Sequence, residues 1–435
     1  PPRSTLFPYT TLFRSAYSVG QLGWSILSGL IQVWLVWFYN PPSSVDIPVL
    51  IPRGAVLGFL TVIGLITMAG RFMDAVTDPW IANLSDRSAH PKGRRIPFMA
   101  KASIPFAILT VLVFTPPAAG SSAINVAWLA VTLLSYYVFY TLYVAPYFAL
   151  TAELSQSASD RLDLSTYIAL TWFVGYIIAS GASFIWPMFQ AAGLPLVLSI
   201  RLTLGILAAI AFVLMLVPVW AIDEKRYVRG APATLPAASS IKAILKNRNF
   251  LLFEIFFLAY GIAITVFQTG NVYYVTVLLG FGESAVLYIT AATGILAFLL
   301  YPAVNGLAKR TGKKALCFWA MAILIAAYLY CAFLGKMPMA PAAQGAVFVI
   351  LAGIGFAVFG ILPNAIVADI AELDGSRSGE RKEGMFYAVH TFMSKIGQMI
   401  AMLIFSSLLL FGKDPGDDLG IRLTGAVAAA IGLAS

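Results

Sequence analysis

The sequence predicts an all-α membrane protein: twelve transmembrane helices forming two six-helix halves around a central cavity, with the last helix cut short. Three observations predict it. Hydrophobic residues make up 60% of the 435 and charged residues only 11%, less than half the roughly 25% charge of a soluble domain, and mean hydropathy is +0.86. Apolar runs near the length of about 20 residues that crosses a bilayer recur along the whole chain. Their order is six, a polar break, and six. This composition excludes a soluble enzyme and a single-span receptor.

Residues 1–15 (PPRSTLFPYTTLFRS) read as a non-native leader and are set aside. The runs that follow give spans at 17–40, 54–84, 96–116, 124–152, 164–188, 197–222, 249–279, 284–307, 315–335, 342–369, 384–411 and 421–435. The first six form an N-terminal half, 16–222, and the rest a C-terminal half, 249–435. Between them, 223–248 carries Asp223, Glu224, Lys225, Arg226, Arg229, Lys242, Lys246 and Arg248 and reads as a linker. The last run would reach about 22 Å as a helix against a hydrocarbon core of about 30 Å, so span 12 reads as incomplete. Cys317 and Cys331 lie about 21 Å apart along one helix. A disulfide needs about 7 Å, so both read as packing residues.

Orientation follows from the basic residues. Loops after even-numbered spans hold 18 of them, beginning with Arg87, Lys92, Arg94 and Arg95; loops after odd-numbered spans hold 5, Arg53, Arg201, Lys336, Lys413 and Arg422. Both termini and the linker are therefore expected in the cytoplasm, at a bacterial inner membrane. The net charge of +9 is topological, set against an anionic inner leaflet. It requires no nucleic acid.

The two halves resemble each other. Ser85-Asp86-Arg87 with Lys92-Gly93-Arg94-Arg95 after span 2 is echoed after span 8 by Lys309-Arg310-Thr311-Gly312-Lys313-Lys314. Pro146 through Glu153 at the end of span 4 is echoed by Pro363 through Asp369 at the end of span 10. A parallel repeat of six spans is the organisation of major facilitator transporters, whose substrate binds near the midplane between the halves.

Charges inside spans cost about 2.5–3.5 kcal/mol each on insertion scales, so each is a functional candidate. Span 2 holds Arg71, Asp74 and Asp78 at spacings of three and four, one helical face. Two carboxylates a turn apart suit a shared proton or a sodium ion; a static Arg71–Asp74 ion pair is the alternative. Lys395 in span 11, with His390 nearby, needs an anionic partner, and the span 2 carboxylates are its candidates. Glu254 reads as a carboxylate at the helix N-terminus of span 7. Asp86, Arg87, Arg94, Arg95, Glu153, Arg161, Arg310 and Asp369, at the ends of spans 2, 4, 8 and 10, read as cytoplasmic gate residues. No phosphate-binding loop, HExxH, GxSxG or Cys/His zinc spacing occurs in the sequence, so no catalytic residue and no cofactor beyond Na+ or H+ is expected.

Gly70-Arg71-Phe72-Met73-Asp74-Ala75-Val76-Thr77-Asp78-Pro79, Ser85-Asp86-Arg87 and Gly93-Arg94-Arg95-Ile96-Pro97 resemble the signature of the glycoside–pentoside–hexuronide:cation symporters. The match continues in Ala145 through Leu154, Val367 through Ile370, and Glu383 through Lys395. The resemblance implies a major facilitator fold, alternating access, and cation coupling at Asp74 and Asp78, with Thr141 at a matching cation-site position and Lys395 at the family's span 11 lysine. It also shows departures. Ser25, Val144 and Ile168 stand where charged residues of the melibiose-type sugar site are found in the family.

The expected cavity is accordingly neutral and aromatic, lined by Gln21, Ser25, Tyr140, Tyr143, Val144, Trp172, Gln268, Asn271 and His390. The function expected is symport of a small organic solute, by family default a sugar or glycoside, with H+ or Na+. An amphipathic or lipid-like substrate with proton coupling is the alternative, and a non-transporting membrane sensor or lipid enzyme a more distant one. The expected partners are the lipid bilayer and a small-molecule substrate, and the chain is expected to be a monomer.

Overall fold

A computed structural model describes residues 7–56, 58–88, 90–154, 158–224, 247–378 and 383–435. Among these, nine helices are long and apolar enough to cross a membrane, and Ile96–Leu112 and Leu419–Ala434 are shorter apolar helices. Val62–Asp86, which carries the charged residues of span 2, completes the expected twelve spans.

In chain order, span 1 is Phe7–Tyr39, span 2 Val62–Asp86, span 3 Ile96–Leu112, span 4 Ala123–Leu154 and span 6 Leu196–Ala221. Span 5 is broken into Ala158–Ser180 and Ala182–Ala191. Span 7 is Arg248–Tyr273, continued by a π-helical turn at Tyr274–Leu278. Span 8 is Ala285–Thr311, span 9 Lys313–Cys331, span 11 Glu383–Leu408 and span 12 Leu419–Ala434. Span 10 is broken into Pro341–Phe359 and Leu362–Ser378.

Several boundaries differ from the hydropathy reading, among them the end of span 10, which runs to Ser378 rather than 369. Span 2 starts at Val62 rather than 54, because Ala55–Val56 and Leu60–Thr61 pair as a short antiparallel hairpin turned by Gly58 at φ +90°. Span 1 starts at Phe7, ahead of 17. Most of the expected linker, 225–246, lies outside the described residues. Asn247 closes that segment as an N-cap, its side chain accepting from Phe250 N–H at 3.2 Å.

Prolines show where the repeat is kept and where it diverges. Pro79 and Pro302 lie inside spans 2 and 8, each eight residues before the basic residues Arg87 and Arg310. Pro146 sits inside the continuous span 4, whereas its counterpart Pro363 opens the second helix of span 10 after the break at Gly360 and Ile361. A proline lacks the N–H that would bridge such a break. It is well placed in the first turn of a helix.

The chain divides into two compact units: 1–41 with 46–52 and 72–233, and 42–45 with 53–71 and 234–435. In the first, span 1 packs against spans 5 and 6, and span 3 against spans 4 and 6. In the second, span 7 packs against spans 11 and 12, and span 9 against spans 10 and 12. The same four packings thus recur six spans later. Small residues let span 1 approach its neighbours closely. A Cβ on Gly23 would lie 2.6 Å from Ala211 O, and one on Gly175 2.6 Å from Ser25 Cβ. At the far end of span 1, Trp34 packs on Trp37 and Trp186, with centroids at 5.4 and 4.7 Å, and donates to Ala179 O at 2.8 Å. Trp80, Trp220, Leu299 and Phe318 are exposed, as suits a chain whose surrounding solvent is lipid.

Candidate functional site

In the first unit, helical spacing turns Asp74 and Thr77 inward while Phe72, Val76 and Trp80 are exposed. Asp74 is 1% exposed and Thr141, arriving on span 4, is fully buried. Thr141 Oγ1 donates to Asp74 Oδ1 at 2.8 Å, with Tyr137 O as an alternative acceptor at 3.0 Å. Thr77 Oγ1 stands 3.2 Å from Thr141 Oγ1 and also reaches Met73 O at 2.8 Å. The result is a buried carboxylate bonded by one hydroxyl with a second hydroxyl behind it, a set of hard oxygen donors that suits a small cation or a proton. Asp78 follows one turn on and is half-buried. Thr77 is absent from the sequence expectation; its place three residues after Asp74 was the available signal. Lys395 is half-buried on span 11 in the second unit.

The end of the first unit where spans 2 and 3 meet is held by Glu224, a residue that the sequence reading assigns to the linker. Glu224, 2% exposed, accepts from the backbone N–H groups of Arg94 at 2.7 Å, Arg95 at 2.8 Å and Ile96 at 3.1 Å. These N–H groups at the start of span 3 have no acceptor within the helix, and a carboxylate there also meets the positive end of the helix dipole. Arg95 is buried and its Nη1 donates to Ser85 Oγ at 2.5 Å. Arg87 and Arg310 are exposed. The side chains of Asp86, Glu153 and Arg161 lie outside the described residues. In the second unit Asp369 forms an exposed ion pair with Lys313 at 2.6 Å.

At the other end of the second unit, Ser43 from the loop after span 1 reaches Asp414 between spans 11 and 12. Ser43 N–H donates to Oδ1 at 2.5 Å and its hydroxyl to Oδ2 at 2.8 Å. Burial, reinforced by the charge of Arg53, pushes the neighbouring Lys413 ammonium down to about 8, against the opposing pull of Asp414.

The residues expected to line the cavity divide into two groups. Tyr140 and Trp172 are half-buried; Tyr140 meets Trp24 edge-on at 5.8 Å, and Trp172 stacks on Tyr176 at 5.6 Å. The others are buried. Ser25 faces Gly175 of span 5 and accepts from Gln21 Nε2 at 3.2 Å. Tyr143 is buried and donates to Met215 O at 2.8 Å. Val144 and Gln268 are buried, and Asn271 donates to Thr290 at 2.8 Å. His390 does not face open space either, being buried against Glu254 with Nδ1 and Oε1 2.9 Å apart. Glu254 therefore sits two turns inside span 7 and meets a side chain rather than the helix N-terminus. Among the described residues, no group of three or more His, Cys, Asp or Glu side chains is arranged to hold a metal ion.

The family described as MFS/sugar transport protein matches residues 16–415. An uncharacterized symporter of Synechocystis sp. is 23% identical, with 94% of this chain and 88% of the relative covered. The isoprimeverose transporter of Lactiplantibacillus pentosus is 22% identical over 92% and 80%, and a putative 2,3-dihydroxypropane-1-sulfonate exporter of Escherichia coli (strain K12) 27% identical over 89% and 81%. In fold, the chain is similar to the nucleoside transporter NupG, with a TM-score of 0.67 at 13% identity over 97% of this chain and 98% of that one. It is also similar to a bacterial homologue of the human drug peptide transporters, with a TM-score of 0.68 at 13% identity over 98% and 95%. The chain belongs to the MFS/sugar transport protein family, and is an integral membrane transporter of the major facilitator fold.

Proposed function

We propose that this chain carries a sugar or glycoside across a bacterial inner membrane by alternating access, driven by Na+ or H+, with both termini in the cytoplasm. The observation that supports the reading best is the buried Asp74 carboxylate accepting from Thr141 at 2.8 Å. A carboxylate kept deep in a span is costly and is a functional candidate by default. Asp74, Thr141 and Asp78 bind the cation in this reading, and Thr77 orients the Thr141 hydroxyl. Lys395 is assigned a coupling role by its place in span 11. Tyr140 and Trp172 offer aromatic faces on which a sugar ring can stack. The names of the relatives support a hydroxyl-rich solute: one is an isoprimeverose transporter and one a putative exporter of a dihydroxylated sulfonate.

Alternating access also needs cytoplasmic contacts that can break and reform. Arg87, Arg94, Arg95, Arg310 and Asp369 are assigned that role, and contacts within each unit, Glu224 with Arg94 and Arg95 and Lys313 with Asp369, hold three of them in place. The test is uptake of labelled isoprimeverose and a panel of pyranosides into proteoliposomes under an imposed Na+ or H+ gradient. Asp74→Asn should abolish gradient-driven accumulation while exchange of labelled for unlabelled solute persists. Accumulation that survives the substitution would remove the coupling assignment.

A further inference from the structure

Spans 7 and 11 run side by side in register. Phe250 meets Phe386 at 4.8 Å, Glu254 meets His390 at 2.9 Å, and Gly261 faces Gly397, with a Cβ on Gly261 3.9 Å from Gly397 Cα. Each pair is separated by 136 residues in sequence. The seam is therefore apolar above and below a single ionisable rung.

That rung is buried. Glu254 is 1% exposed and His390 6%. The His390 ring lies 4.1 Å from Phe257 and 6.0 Å from Phe253. Glu254 Oε2 is buried without a hydrogen-bond partner among the described residues. The helices packed on this seam carry Arg248 on span 7, Asp369, Glu372 and Asp374 on the second helix of span 10, Lys395 on span 11, and Asp418 and Arg422 at the start of span 12. Among the described residues, the hydrogen bond given for either member of the pair is the one to the other.

Charge arithmetic then fixes what the pair must bind. A carboxylate beside a neutral imidazole is one net negative charge in an apolar seam, which burial strongly disfavours. One added proton neutralises it, as imidazolium and carboxylate or as imidazole and carboxylic acid. Either form keeps a proton between Nδ1 and Oε1; the added proton resides on Nε2 in the first form and on the carboxyl in the second. We propose that Glu254 and His390 form a proton-binding site in the second unit, separate from the span 2 carboxylates, that holds one exchangeable proton. The site does not depend on the assignment of Asp74. A step of the transport cycle that hydrates or parts spans 7 and 11 would release this proton.

The chain has only two histidines, His90 and His390, and His90 is exposed in a loop. The full-length His90→Gln protein, labelled with 15N-histidine in nanodiscs, therefore reports His390 alone by nuclear magnetic resonance. Its ring signals should change with pH as the site gives up its proton. Adding Glu254→Gln, which keeps the shape and an acceptor oxygen, should lower the proton affinity at least tenfold and move the midpoint accordingly. Ring signals that do not change with pH, or a midpoint unaltered by Glu254→Gln, would overturn the proposal. Should Glu254→Gln fail to fold, infrared titration of the wild type against His390→Gln decides. A protonatable buried carboxyl whose C=O band shifts its pH response on that substitution supports the site, and an identical response refutes it.

Discussion

Thr141 donates a 2.8 Å hydrogen bond to the buried Asp74 carboxylate, joining spans 4 and 2 across 67 residues of sequence. A hydrogen bond to a charged group contributes about 1.5–3 kcal/mol. Thr141→Val keeps the shape and removes an oxygen that would ligate Na+, so with Na+ as the coupling ion the concentration that half-activates uptake should rise roughly tenfold to a hundredfold. Thr141→Ser should stay near wild type. Cation-dependent uptake in proteoliposomes measures both.

Gly93 stands at φ +112°, and a Cβ there would lie 2.2 Å from Glu224 Oε2. Gly93→Ala should therefore both strain the backbone, at about 1–3 kcal/mol, and push Glu224 off the three N–H groups that it accepts from. A fall in apparent melting temperature in detergent is expected, with little change for the exposed neighbour Lys92→Ala. An unchanged melting temperature would show that the clamp carries no stability.

Lys413 has its ammonium pushed down to about 8 from the usual 10.5. Below pH 8 the side chain is charged in both the folded and unfolded protein, and the folded state bears a constant penalty. Between about 8 and 10.5 the folded protein binds fewer protons than the unfolded one, so stability rises with pH there. Lys413→Gln should flatten that rise. Chemical denaturation in detergent at stepped pH values reads the slope.

Arg422 forms a two-pronged ion pair with Asp418 at 2.8 and 2.7 Å and donates to Ala332 O and Leu334 O at 2.7 and 2.9 Å. It ties span 12 to the end of span 9. Lysine lacks the planar fork, so Arg422→Lys should cost about 2–4 kcal/mol. The guanidinium also holds the Asp418 carboxyl below its usual value of 3.8. The pair's stabilisation is therefore complete at neutral pH and lost only as pH falls through the depressed value. Thermal unfolding of the variant at neutral pH checks the first point, and an acid series of the wild type the second.

Span positions were largely legible because each span must stay apolar over the bilayer core, a constraint that hydropathy reads directly. The boundary of span 2 was not, since an apolar hairpin at Ala55–Thr61 has the composition of a helix start. Asp74 could be singled out from its cost inside a span. Thr77 could not, because a threonine within a helix usually bonds its own backbone, as Thr77 also does with Met73 O. Ser25 and His390 were expected to face a cavity because polarity alone says nothing about which neighbour a helical face meets.

The sequence by itself determined the class, the number of spans, the six-span repeat and the buried charges of span 2, all of which follow from local composition and the energetics of a polar group in lipid. The tertiary structure decided which of those groups touch: Asp74 with Thr141, Glu224 with the start of span 3, and Glu254 with His390. Hydrogen bonds act over about 3 Å between residues 67 to 136 positions apart, and only packed helices, in one particular rotation and register, bring such residues within that distance.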